Sequence, residues 1–89
     1  MEHTLERPVT IRSKSGLHAR PAAILVQKAK GFRSQITVSK NDKTANAKSI
    51  LSVLTLGAEQ GDQVLLKITG DDAEIAIDEL TSLLEEDLG

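Results

Sequence analysis

The sequence predicts an α+β fold in which helices cover one face of a sheet. Three observations carry this. The chain has 89 residues, which suits one compact domain spanning 1–89. Its apolar residues switch between a spacing of two and a spacing of three to four. Gly, Asn and Asp mark the joints between those segments. In order, the elements run β-α-β-β-α-β-α.

Leu5, Arg7, Val9 and Ile11 share one parity, predicting a half-buried strand centred on Val9-Thr10-Ile11. Lys14-Ser15-Gly16 breaks it. From Ala19 to Lys30 the period changes: Ala22, Leu25, Val26 and Ala29 follow i, i+3, i+4, i+7, one face of a helix. Pro21 falls in the first turn, where a missing N–H costs nothing. Gly31 is placed just past the helix end, at C′, with Phe32 packing back. Ile36 and Val38 alternate in a second strand, Asn41-Asp42 turns the chain, and Thr44 to Ala47 returns as a third. Ser49 opens a short helix to Leu56 that stops at Gly57. Val64, Leu66 and Ile68 form a fourth strand, closed by Gly70. Asp71 is placed to cap the last helix, with Glu74 in the reciprocal capping-box position. Ala73, Ala76, Ile77, Leu80, Leu83 and Leu84 make that helix's apolar stripe.

Composition removes several classes of function. Without cysteine there is neither a disulfide framework nor a thiolate metal site, and no His/carboxylate cluster suggests a metal; no metal and no cofactor is expected. Trp and Tyr are absent and Phe32 is the only aromatic, so the core must be Ile, Leu, Val and Ala. That argues against nucleic acid as a partner, since single strands are gripped by stacking aromatics. No apolar run reaches the ~18–20 residues that span a bilayer, and the N-terminal residues do not resemble a signal peptide. The expectation is a cytoplasmic monomer without membrane insertion. His3 lies in what reads as a frayed start and receives no role.

The net charge of −2 hides an asymmetry. Residues 1–48 hold ten Lys and Arg against three acids, +7; residues 49–89 hold one Lys against ten acids, −9. A basic half can attract an acidic partner or a phosphoryl group. The plainer reading is that the acids coat a C-terminal helix.

Ser15-Gly16-Leu17-His18-Ala19-Arg20-Pro21 lies between a strand and a helix start. Such a start offers unpaired N–H groups and the positive end of the helix dipole, which bind anions. Arg20 adds a guanidinium suited to phosphate oxygens. An imidazole there can act as a nucleophile toward phosphorus, because an unperturbed ring is largely neutral near pH 7. The competing reading makes His18 an ordinary loop or capping residue and Arg20 a solvated surface charge. Taken alone, the residues describe an anion site with a histidine in it.

Gly16-Leu17-His18-Ala19-Arg20-Pro21-Ala22 resembles the active-site signature of the HPr family of phosphocarriers. Asn46-Ala47-Lys48-Ser49-Ile50-Leu51-Ser52-Val53-Leu54-Thr55-Leu56-Gly57 resembles that family's second signature. Element order, spacing and length agree, so the resemblance covers nearly the whole chain. It implies an open-faced β-sandwich, a four-stranded antiparallel sheet with three helices on one face. It implies that His18 is phosphorylated at Nδ1 by phospho-enzyme I and passes the group to IIA domains of sugar permeases, a carrier with a phosphohistidine intermediate rather than a stand-alone enzyme. By the same resemblance Arg20 and the N–H groups of Ala19 and Arg20 support the phosphoryl group, and Ser15 helps orient the ring.

The surface follows from that reading. The helix from Ser49 is expected to turn Ile50, Val53 and Leu54 toward the core and leave Leu51 more exposed. Ile50, Leu51 and Leu54, with Ala23 and Gln27 beside them and Lys30 on the rim, make the expected partner-binding patch. Ser49 has a structural reading as helix N-cap and a regulatory one, as the serine that a dedicated kinase/phosphorylase modifies in many HPr proteins. A phosphate there would oppose docking of an acidic partner. Ser52 and Leu54 depart from the Gly and Met frequent in lineages that have the kinase.

Other readings stay open. A paralogue of the NPr type would serve a nitrogen-linked regulatory phosphorelay with the same chemistry at His18. A non-catalytic small α+β binding domain would leave His18 incidental. A true hydrolase would want a second acid or base near the histidine, and the acids crowd the far half of the chain.

Overall fold

Seven elements follow in the predicted order: β1 (His3–Thr10), α1 (Ala19–Ala29), β2 (Gln35–Lys40), β3 (Lys43–Asn46), α2 (Ile50–Leu54), β4 (Gln63–Gly70) and α3 (Ala73–Leu84). They come from a computed structural model that describes residues 3–86. The strands form one sheet in the order β1-β4-β2-β3, every neighbouring pair antiparallel. β1 and β2 are thus parallel to each other, and β4 fills the gap between them. α1 packs against α2 and α3, α3 against β1 and β4, and α2 against β3.

Side-chain alternation decides which face is covered. In β4, Val64, Leu66 and Ile68 are buried while Leu65 and Lys67 face out. Ile36 and Val38 of β2 and Val9 of β1 join them on the inner face. The helical stripe Ala22, Leu25, Val26, Ala29 closes over this surface as its period predicts. Each large aliphatic removed from water here contributes about 1.5–3 kcal/mol, so this layer contact supplies the main stabilisation. The opposite face is polar: Thr4 faces Thr69 and Glu6 faces Lys67 across β1 and β4, and Ser39 bonds Thr44 across β2 and β3. That polar face is what leaves the sandwich open on one side.

Three local expectations are corrected. His3 is not frayed: β1 begins there, in register with Gly70. Gly31 does fall just past the Lys30 C-cap with Phe32 packed against the core, as expected, and their N–H groups donate to the Lys28 and Ala29 carbonyls without a positive φ. Asp71 does not cap α3. The N-cap is Asp72, whose side chain makes no cap bond, because its carboxylate accepts from the Arg33 N–H at 2.8 Å, the Ser34 N–H at 3.1 Å and the Ser34 hydroxyl. Those bonds, the Ser34 hydroxyl foremost, hold the Asp72 carboxyl below its ordinary pKa while tying the α1–β2 connection to α3. Last, α2 is one short turn, ending at Leu54. Only Val53 of it is buried, and Ile50 and Leu54 are 41% and 38% exposed, because five residues present too narrow an edge to the core.

Candidate functional site

The site is built where two loops meet. Ile11 and Leu17 are buried on either side of the turn at residues 12–16, fixing both ends of the segment in the core. With Leu17 turned in, His18 is turned out, its side chain 61% exposed. His18 is also the N-cap of α1, in extended backbone, and its carbonyl accepts from the Ala22 N–H at 2.9 Å. Imidazole makes no cap bond there. The N–H groups of Ala19 and Arg20 therefore have no side-chain cap, and Pro21 has no N–H to satisfy. A Ser or Asp at this place would have filled the helix start; His18 leaves it able to receive an anion. Ala19 and Arg20 are exposed in the same first turn.

The loop between α2 and β4 comes up against this segment. The Leu17 N–H donates to the Ala58 carbonyl at 2.9 Å, and Ile11 exchanges bonds with Gly61 and Asp62. Gly16 permits the approach: its φ is +65°, and a Cβ there would run into the Ala58 carbonyl and lie 2.7 Å from Glu59 Cα. The contact delivers Glu59 to the ring. His18 Nε2 lies 3.0 Å from Glu59 Oε1 and 3.3 Å from Oε2.

Glu59 is itself held from below. Asp62 accepts from the Glu59 N–H at 2.8 Å and pairs with the Lys40 ammonium at 2.9 Å. Lys40 also donates to the Gly57 carbonyl at 2.9 Å, so one side chain spans both ends of the loop. The Glu59 N–H first, then Lys40, hold the Asp62 carboxyl below its ordinary pKa.

The remaining predicted residues fall into two groups. Ser15 is half-buried in the turn before His18 and has a partner of its own. Ser49 is the N-cap of α2, its hydroxyl accepting from the Ser52 N–H at 3.3 Å. Leu51 is 78% exposed, and Ile50 and Leu54 extend its apolar surface rather than joining the core as expected. Ala23 and Gln27 line a shallow groove of α1 that Ile24, Lys28 and Leu83 complete, and Lys30 is exposed at the helix end.

Sequence reasoning missed Glu59, Asp62 and Lys40. It treated the acids of the second half as remote from His18, and the structure corrects this: a carboxylate 41 residues away touches the ring. The available signal was the Gly57-to-Gly61 turn, which had to close onto something, but nothing local named its target.

An exposed histidine thus stands at an open helix start in an α+β sandwich. The sequence matches the family model PTS-HPr, described as the PTS HPr component phosphorylation site, over residues 5–86. The chain belongs to the HPr family of the phosphotransferase system. It is 41% identical over 81 residues to phosphocarrier protein HPr of Vibrio cholerae, covering 91% of this chain and 95% of that one. Its fold superposes on crystalline HPr of Thermoanaerobacter tengcongensis with a TM-score of 0.88 at 51% identity, covering 91% of each chain. It is also similar to Crh of Bacillus subtilis, TM-score 0.76 at 38% identity over 91% of this chain and 93% of that one, a protein crystallised as a domain-swapped dimer. The open sandwich expected from the two signatures is the fold observed. No helix among the described residues is long and apolar enough to cross a membrane.

Proposed function

We propose that this chain is a phosphoryl carrier of sugar uptake, accepting the group on His18 from phospho-enzyme I and donating it to IIA domains of sugar permeases. The observation that carries the proposal is the placement of His18: an exposed imidazole standing at an uncapped helix start beside Arg20, in a chain of the HPr family. Nδ1 attacks phosphorus as the bond to the donor breaks, and the reverse exchange passes the group on. The Ala19 and Arg20 N–H groups and the Arg20 guanidinium support the phosphoryl oxygens, and Ser15 steadies the turn. The carrier needs no metal or cofactor of its own, because the donor and acceptor proteins complete the site.

Ile50, Leu51 and Leu54 form the docking surface, with Ala23, Gln27 and Lys30 around it, in one cytoplasmic HPr domain over residues 1–89. An apolar centre with a basic rim suits partners that present acidic rims. Ser49, at the head of α2 beside that surface, is the proposed regulatory phosphorylation site. The carrier works as a monomer, which light scattering at working concentration checks; a stable dimer would count against it. Incubation with enzyme I, Mg²⁺ and phosphoenolpyruvate tests the function: one acid-labile phosphoryl group is expected, and none in His18→Ala. Transfer from a nitrogen-branch donor alone would assign the chain to the regulatory relay instead.

A further inference from the structure

Glu59 stands against the one face of His18 that phosphoryl chemistry at Nδ1 leaves unused. Its two oxygens lie 3.0 and 3.3 Å from Nε2. An ionised carboxylate can only accept, so the ring nitrogen facing it must carry the proton. A neutral imidazole protonated on Nε2 has its lone pair on Nδ1. From this geometry we infer that Glu59 is a positioning residue that holds His18 as the Nε2–H tautomer and presents Nδ1 as the nucleophile. The functional half of the inference rests on the phosphocarrier reading; the tautomer half does not.

The fold brings the Glu59 backbone up to the ring, within reach of its carboxylate. Gly16 lets the loop approach, the Leu17–Ala58 bond fixes its height, and Asp62 with Lys40 holds the Glu59 backbone. Proton accounting is consistent throughout the transfer. As the Nδ1–P bond forms and the donor's bond to phosphorus breaks, the ring becomes a phosphoimidazolium. The proton stays on Nε2, and the new positive charge faces Glu59. When the group leaves, the ring departs as the same neutral tautomer it began as. The carboxylate therefore opposes charge that exists only after attack, while a carboxylate beside Nδ1 would repel the phosphoryl oxygens.

Both side chains are about 60% exposed, which limits the strength of the pair. Exposed pairs supply about 0.2–1 kcal/mol, so the rate effect is at most about fivefold. The test reads the tautomer directly. Histidine ¹⁵N chemical shifts and long-range ¹H–¹⁵N couplings are recorded for the unphosphorylated protein, Glu59→Gln and Glu59→Ala, at a pH where the ring is neutral. The wild type should show Nε2–H alone. Glu59→Gln, whose amide oxygen still accepts, should keep it, and Glu59→Ala should relax toward the mixture of free imidazole. Phosphorylation by phospho-enzyme I should slow about two- to fivefold in Glu59→Ala and recover in part in Glu59→Gln. A wild-type ring protonated on Nδ1, or His18 signals unmoved in Glu59→Ala, would overturn the assignment. Failure of the wild type to accept a phosphoryl group would sink the carrier reading and leave the spectra to decide the tautomer.

Discussion

Gly16 and Glu59 approach so closely that no side chain fits between their backbones: a Cβ on Gly16 would stand 2.7 Å from Glu59 Cα, on a residue whose φ is +65°. The left-handed conformation alone costs a non-glycine residue about 1–2 kcal/mol, and overpacking adds about 1–3. Gly16→Ala is therefore expected to lower stability by at least about 2 kcal/mol in urea titration. The displaced loop should also separate Glu59 from His18, visible as a change in the His18 ring shifts. A variant as stable as the parent would show that the two loops can part without cost.

Leu51 tests the docking surface apart from the fold. At 78% exposure it contributes little to the core, so Leu51→Glu should change stability by no more than about 0.5 kcal/mol. Placing a carboxylate where an acidic-rimmed partner would dock should slow phosphoryl acceptance from phospho-enzyme I roughly tenfold. Stopped-flow transfer measured alongside urea denaturation separates the two effects. An unchanged rate would move the docking surface elsewhere.

Ser49 separates a cap from a switch. Ser49→Ala removes the bond to the Ser52 N–H, and at 3.3 Å that bond should be worth the lower end of the ~0.5–2 kcal/mol cap range. Ser49→Asp keeps a capping oxygen and should fold as the parent does, while its charge beside Leu51 slows transfer from enzyme I. If both variants transfer at the parent rate, Ser49 is a cap and nothing more.

The acid limb of stability should come from Asp72 and Asp62. Both carboxyls are held below the ordinary 3.8, Asp72 chiefly by the Ser34 hydroxyl and Asp62 chiefly by the Glu59 N–H. Their contribution is complete above that value. It is lost as pH falls below 3.8 and through the lower folded-state pKa values, where the unfolded chain binds more protons. Urea midpoints taken from pH ~6 down to pH ~2 should fall in that window, and less steeply in Asp72→Asn. An equal slope in the variant would remove Asp72 from the account.

Much of this molecule could be read from short-range pattern. The helix face Ala22-Leu25-Val26-Ala29 and the strand Val64-Leu66-Ile68 bury as their periods require, because a period of 3.6 or 2 is a property of neighbouring residues. The signature around His18 placed the histidine at a helix start for the same reason. What could not be read depends on distant partners. Asp71 looked like the cap of α3, but Asp72 takes that position and its carboxylate accepts from the distant Arg33 and Ser34 N–H groups. Ile50 and Leu54 looked like core because they are apolar, and only the shortness of α2 leaves them exposed. Glu59 had no local mark at all, since its meaning is a contact across 41 residues.

The central claim is that His18 carries a phosphoryl group. Intact mass after incubation with enzyme I, Mg²⁺ and phosphoenolpyruvate tests it most directly. The account predicts the mass of one phosphoryl group, removed by mild acid and absent in His18→Ala. No gain in mass with either a sugar-branch or a nitrogen-branch donor, or a gain that persists in His18→Ala, would contradict it.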